Sequence, residues 1–158
     1  MVGNVKSREK LRFVAVPMEV ANDARTTLRD RFGHRLSLVL EHGPCRVCLR
    51  ISREAEDFIL LSYQPLPDTG PYAEIGPIFI HARHCSPYEG TTFPEDFAPR
   101  RLVLRAYGHD GRIVDASVAE AGTAQHEAAR FLSKPAVAEV HVRHESYNCY
   151  DFKIVRAE

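Results

Sequence analysis

The sequence has no surplus of charge of either sign: 21 Lys and Arg stand against 21 Asp and Glu, for a formal net charge of zero. Proteins that grip a phosphate backbone need a basic excess or a basic stripe, so no nucleic-acid partner is expected. No apolar run is long enough to cross a bilayer, and no membrane association is expected either. The opening stretch, Met1 to Lys10, is polar and lacks the apolar core of a secretory signal, which points to the cytoplasm. A Gly-rich phosphate loop, an internal repeat and a low-complexity tract are all missing. There are only four cysteines, which in a reducing compartment are expected as free thiols rather than disulfides.

What is present suits one domain: 158 residues, 44% of them apolar and 27% charged, enough for a real core and too few for two. A polar tail over residues 1–10 is expected to precede a domain over 11–158. Leu11 to Val16 alternates and stops at Pro17, as a strand does. Val20, Ala24, Leu28 and Phe32 recur every fourth residue among Arg25, Arg29 and Arg31, which predicts an amphipathic helix closed by Gly33. Arg35 to Glu41 reads as a short strand. Gly43-Pro44 breaks the chain, and Val47, Leu49 and Ile51 then alternate with Arg46, Cys48 and Arg50 as a half-buried strand. Phe58 to Tyr63 and Ile78 to Ala82 are strands separated by a loop with Pro65, Pro67, Gly70 and Pro71.

Cys85 to Arg100, with Pro87, Gly90, Pro94 and Pro99, has no periodicity. It reads as a lid anchored by Phe93 and Phe97 over a pocket beside the Gly70–His81 segment. Leu102 to Tyr107 and Arg112 to Val118 form a hairpin about Gly108-His109-Asp110-Gly111. Thr123 is placed to cap a second helix ending before Pro135, and Val137 to Arg143 with Cys149 to Val155 form a last hairpin. The sum is an α+β domain, a mainly antiparallel sheet of about seven or eight strands with two helices.

Five blocks occur in a familiar order: Cys45-Arg46-Val47-Cys48-Leu49, Leu60-Leu61-Ser62-Tyr63, Gly70 to His81, Leu104-Arg105-Ala106-Tyr107, and Val140-His141-Val142-Arg143 with Cys149-Tyr150. Together they resemble the bacterial family described as domain of unknown function 1203, over about Phe13 to Arg156. The resemblance implies a single-domain bacterial protein and no particular reaction.

Three groups of residues are candidates for chemistry. In the last hairpin, a register opposing Val142 to Tyr150 and Val140 to Phe152 gathers the apolar side chains on one face. The other face then opposes Arg143 to Cys149, His141 to Asp151 and Glu139 to Lys153. Asp151 would orient His141 as a general base and Arg143 would lower the Cys149 thiol pKa, making His141, Cys149 and Asp151 a catalytic candidate. Cross-strand ion pairs on a solvated sheet account for the same pattern without chemistry.

Tyr72, Glu74 and His81, joined by Arg105 and Arg143, are candidates to bind a small anionic or carboxylate-bearing molecule. A tight Gly-Pro corner with a packed tyrosine explains the same segment equally well.

Cysteine and histidine supply the third group. Cys45, Cys48, His81, His84, Cys85, His141, His144 and Cys149 are enough soft ligands for zinc. The strand reading of Arg46 to Ile51 nevertheless sends Cys45 and Cys48 to opposite faces, and no second Cys-x-x-Cys or His-x-x-x-His follows. Neither a metal nor any other cofactor is therefore expected. A thioredoxin-like use of the pair fails because no helix follows Cys45. The reading is a small-molecule-binding protein, with a non-catalytic protein-interaction module as the alternative and a thiol- or zinc-dependent enzyme behind both. No oligomeric state is specified by the pattern.

Overall fold

The structure is a computed structural model and describes residues 10–67 and 70–158. The expected tail over 1–10 lies, apart from Lys10, outside the described residues. Ten elements follow one another: β1 (Leu11–Val14), α1 (Met18–Thr27), β2 (Leu38–Glu41), β3 (Glu56–Tyr63), β4 (Gly76–His81), β5 (Leu102–Gly108), β6 (Ile113–Ala119), α2 (Ala124–Leu132), β7 (Val137–His144) and β8 (Tyr150–Arg156). They build two antiparallel sheets, one of five strands in the order β1-β8-β7-β5-β6 and one of three in the order β2-β3-β4. The expected α+β class is what forms. No helix of the described residues is long and apolar enough to cross a membrane.

Each sheet has its own helix and core. Ala124, Ala128, Phe131 and Leu132 recur on one side of α2 and bury it against the five-stranded sheet, among Leu102, Leu104, Val140, Val142, Phe152 and Ile154. The other helix, α1, starts directly after Pro17, whose fixed φ suits a helix start. Val20, Ala21 and Ala24 are its buried side chains, and the two alanines let it lie close to Phe58, Ile59, Ile78 and Ile80 of the small sheet. It ends at Thr27 rather than at Phe32, because Leu28 turns left-handed with φ 49°. Gly33 (φ 83°) belongs to the turn after it, so the expected glycine cap is corrected.

That turn is organised by Asp30. Its carboxylate accepts bonds from the amides of Phe32 (2.9 Å), His34 (3.0 Å) and Ser62 (3.1 Å), and pairs with His34 Nδ1 at 2.9 Å. Thr123 stands where the N-cap of α2 was expected, but its hydroxyl donates back to Glu120 O rather than to the helix.

Two expectations about loops and register change. Phe93 and Phe97 are core residues: Phe93 packs on Phe13 (5.7 Å between centroids) and both pack on Phe152 (5.5 and 5.3 Å). The Cys85–Arg100 segment is therefore not a lid, since lifting it would expose two buried rings. In the last hairpin His141 opposes Lys153 and Val142 opposes Phe152, and Arg143 then opposes Tyr150 with Asp151 as an extra residue. The expected pairing of His141 with Asp151 is thus displaced by two residues. The bulge has a further effect: it carries Tyr150 off the Phe152 face and into the small sheet's core cluster, and frees Asp151 from the ladder.

Burial alone would raise the Asp30 carboxyl, but the bonds from His34, Ser62 and Phe32 hold it below the usual carboxylate range. A depressed folded value contributes stability that is present above the unfolded pKa of ~3.9 and lost as pH falls through the folded value. Asp30→Ala is expected to cost about 1–3 kcal/mol at pH 7 in urea unfolding. The gap between variant and wild type narrows once the wild-type carboxyl is protonated; a gap independent of pH contradicts this role.

Candidate metal centre

Residues 43–52 form a short reversal rather than the expected strand. Pro44 and Ile51 make an isolated antiparallel bridge, and Cys45 N donates to Arg50 O at 3.0 Å. Between them the chain coils once: Leu49 N donates to Cys45 O at 2.9 Å, and Leu49 takes φ 55°. The alternation of Val47, Leu49 and Ile51 that suggested a strand has another cause. Val47 fills the small sheet's core and Leu49 the large sheet's, so the coil is apolar because it lies between two cores. A coiled Cys-x-x-Cys turns both thiols to one side, where a strand would have separated them.

Opposite this turn, the end of β4 supplies His81, with Cys85 four residues on. Cys45, Cys48, His81 and Cys85 each offer a ligand atom, and all four atoms lie within 4.8 Å of one another. Cys45 Sγ is 3.8 Å from Cys85 Sγ, and Cys48 Sγ is 3.5 Å from His81 Nδ1. A tetrahedral zinc ion at ~2.3 Å from sulfur and ~2.0–2.1 Å from nitrogen sets sulfurs ~3.8 Å apart, and sulfur and nitrogen ~3.5 Å apart. The expected divergence of Cys45 and Cys48 is corrected, and with it the geometric objection to a metal.

Surrounding groups support this set. His81 Nε2 pairs with Glu56 Oε2 at 2.6 Å, the carboxylate contact that fixes the tautomer and leaves Nδ1 free to ligate. The His81 ring stacks on Phe58 at 4.9 Å and 16°. The His81 amide donates to Cys45 Sγ at 3.3 Å, and Arg25 at the end of α1 donates to His81 O (3.0 Å) and Cys85 Sγ (3.6 Å). Bonds from the Cys48 and Cys85 thiols and from the His81 amide pull the Cys45 thiol well below its usual range, against its burial. The Cys48 thiol is raised by its contacts with Cys45 and Cys85, and the Cys85 thiol by its contact with Cys45. The cluster thus favours one thiolate at the buried position, and a dication would favour three.

The turn is also tied to the large sheet. Arg46, 3% exposed, donates to Tyr150 O (2.9 Å) and Pro44 O (2.8 Å) and lies 3.2 Å from Asp151 Oδ1. That last contact is Coulombic, because Asp151 Oδ1 has no aligned donor. Asp151 Oδ2 takes His144 Nδ1 at 2.7 Å.

Of the catalytic candidates, then, His141 pairs with Glu139 (2.7 Å), Asp151 with His144 and Arg46, and the Cys149 thiol donates to Tyr147 O at 3.8 Å. His141, Cys149 and Asp151 are each engaged elsewhere. Burial lowers the His141 pKa despite Glu139, and the ring lies between Tyr107 and Tyr150.

The ligand-binding candidates divide. His81 belongs to the Cys₃His cluster, and Tyr72 is exposed. Glu74, Arg105 and Arg143 do meet: Glu74 Oε1 is 2.9 Å from Arg105 Nη1 and Oε2 is 3.2 Å from Arg143 Nη2. A cleft of about 910 Å³ runs between α1 and β3 away from the cysteines. A cleft of about 580 Å³ borders Cys48, His81 and Cys85.

Two antiparallel sheets, each with its helix, and a Cys₃His cluster at the end of β4 define an α+β protein with a candidate metal centre. The chain belongs to the family described as protein of unknown function (DUF1203), whose profile matches residues 43–156. That stretch holds all four cluster residues and the Glu74–Arg105–Arg143 group, while β1, α1 and β2 precede it. No curated protein and no solved structure matches the chain.

Removing Arg46 leaves Asp151 buried without its cation. Arg46→Met is expected to cost about 3–5 kcal/mol in urea unfolding. Combining it with Asp151→Leu is expected to recover part of that loss. A single variant as stable as wild type contradicts the coupling of the turn to β8.

Proposed function

We propose that the chain is a zinc-binding protein in which Cys45, Cys48, His81 and Cys85 hold one ion. The observation that carries this is the convergence of the four donor atoms within 4.8 Å of one another, with the Cys45–Cys85 and Cys48–His81 distances of 3.8 and 3.5 Å equal to edges of a zinc tetrahedron. Four protein ligands leave no position for substrate, so the role is structural. One ion joins the 43–52 reversal, the end of β4 and the start of the Cys85–Arg100 segment, three pieces held to each other by few regular ladders. Three thiolates with Zn(II) leave one net negative charge, and Arg25 at Cys85 is placed to offset it.

The test is metal content after purification without chelator, paired with thermal unfolding. Wild type and Cys149→Ser are expected to carry one zinc per chain; Cys48→Ser and Cys85→Ser lose it and melt lower. Glu56→Ala is expected to keep the site but weaken zinc about 10–100-fold in competition with a chelating dye. Zinc retained in full by Cys48→Ser, or absent from wild type after zinc addition, contradicts the proposal.

A second reading, binding of a small anionic molecule near the C-terminal hairpin, is supported by one observation. Arg105 and Arg143 converge on a cavity of about 280 Å³, and Arg143 Nε is buried with no hydrogen-bond partner.

A further inference from the structure

The register places Arg105 and Arg143 on the same face of the large sheet. Arg105 on β5 opposes His141 and Val103 opposes Arg143, so the two arginines are diagonal neighbours. Their side chains are 17% and 8% exposed, and the acid that bridges them, Glu74, is 51% exposed. Two mostly buried guanidinium groups therefore share a single, half-solvated carboxylate. That carboxylate comes from neither sheet: Glu74 lies between the Gly70–Ala73 turn and β4. It can leave without unpacking either core.

Arg143 is incompletely satisfied even with Glu74 in place. Nη1 donates to Asn148 O at 3.0 Å and Nη2 faces Glu74, while Nε is buried and unpaired. An unpaired donor on a buried cation is costly unless something else supplies an acceptor. The cavity they line is walled by Tyr63, Ile75, Pro77 and Tyr150 and rimmed by Tyr147. Its volume, about 280 Å³, is below the roughly 300–1,000 Å³ typical of drug-sized ligands, which limits an occupant to a small acid.

We propose that Glu74 is a resident stand-in for the ligand of this cavity, a small organic acid whose carboxylate replaces Glu74 between Arg105 and Arg143. The proposal rests on the anion-binding reading and specifies it. The Glu74 carboxylate already takes one guanidinium on each oxygen, which is how a planar two-oxygen anion is recognised. A second carboxylate or a hydroxyl on the same molecule supplies the acceptor that Arg143 Nε lacks. Entry of the ligand releases Glu74 to solvent, so affinity in the wild type is reduced by the strength of the internal pair.

The experiment is isothermal titration and thermal unfolding of the full chain with malonate, acetate and inorganic phosphate. Wild type, Glu74→Gln and Glu74→Gln/Arg143→Met are compared. Glu74→Gln loses the competing charge on a half-exposed position. It is expected to bind malonate at least about tenfold tighter than wild type, to melt lower without anion and to recover on adding it. Malonate is expected to bind more tightly than acetate and phosphate, and the double variant is expected to bind none of them.

Equal malonate affinity in wild type and Glu74→Gln overturns the stand-in role while leaving the anion reading intact. Phosphate preferred in both proteins overturns the organic acid. Binding of no anion by any variant, with Glu74→Gln folded by circular dichroism, overturns the anion reading itself.

Discussion

The hydrogen bond from Leu49 N to Cys45 O closes the one turn on which the candidate centre depends. It forces Leu49 to φ 55°, a region that costs a non-glycine residue roughly 1 kcal/mol or more. Two features offset that strain. Leu49 is 2% exposed and packed in the large core, and Val47, two residues earlier, is fully buried in the small one. The apolar pull in two directions holds the coil tight, and the coil sets the Cys45 and Cys48 thiols on the side where His81 and Cys85 arrive.

Arg46 makes this turn a joint between the sheets. It spans from Pro44 O to Tyr150 O and Asp151, and the bulge in β8 is what brings Asp151 within its reach. In a regular ladder Asp151 would stand among the strand residues, and Tyr150 would share the Phe152 face. The bulged residue instead compensates a buried cation, and Tyr150 packs beside Tyr63 (5.6 Å) and His141 (5.2 Å). The polar face of the large sheet, with Arg105, His141 and Arg143, is in this way covered without being made apolar.

Much of the fold was legible because its elements carry period signals. Phe58–Tyr63, the β5–β6 hairpin about Gly108–Gly111 and the apolar stripe of α2 formed close to where alternation and four-residue spacing placed them. The Cys₃His cluster was not legible for a specific reason. A coil whose side chains enter two different cores also alternates apolar and polar, so Arg46–Ile51 imitated a strand. His81 and Cys85 form a His-x-x-x-Cys pair, a spacing that a search for a second Cys-x-x-Cys or His-x-x-x-His passes over. The hairpin register failed by two residues: at the loop end Arg143 faces Tyr150 rather than Cys149, and the bulge adds a second shift that pairing arguments assuming one residue opposite one residue do not see. Glu74, Arg105 and Arg143, grouped in the sequence as ligand-binding candidates, meet in space, whereas His81 lies at the far end of β4.

The central claim, that the reversal at Cys45 exists to complete a four-ligand centre, is tested most directly by X-ray absorption at the zinc edge on purified protein. The account predicts three sulfur neighbours at about 2.3 Å and one nitrogen at about 2.0–2.1 Å. A shell of oxygen and nitrogen alone, as an adventitiously bound ion gives, would contradict it.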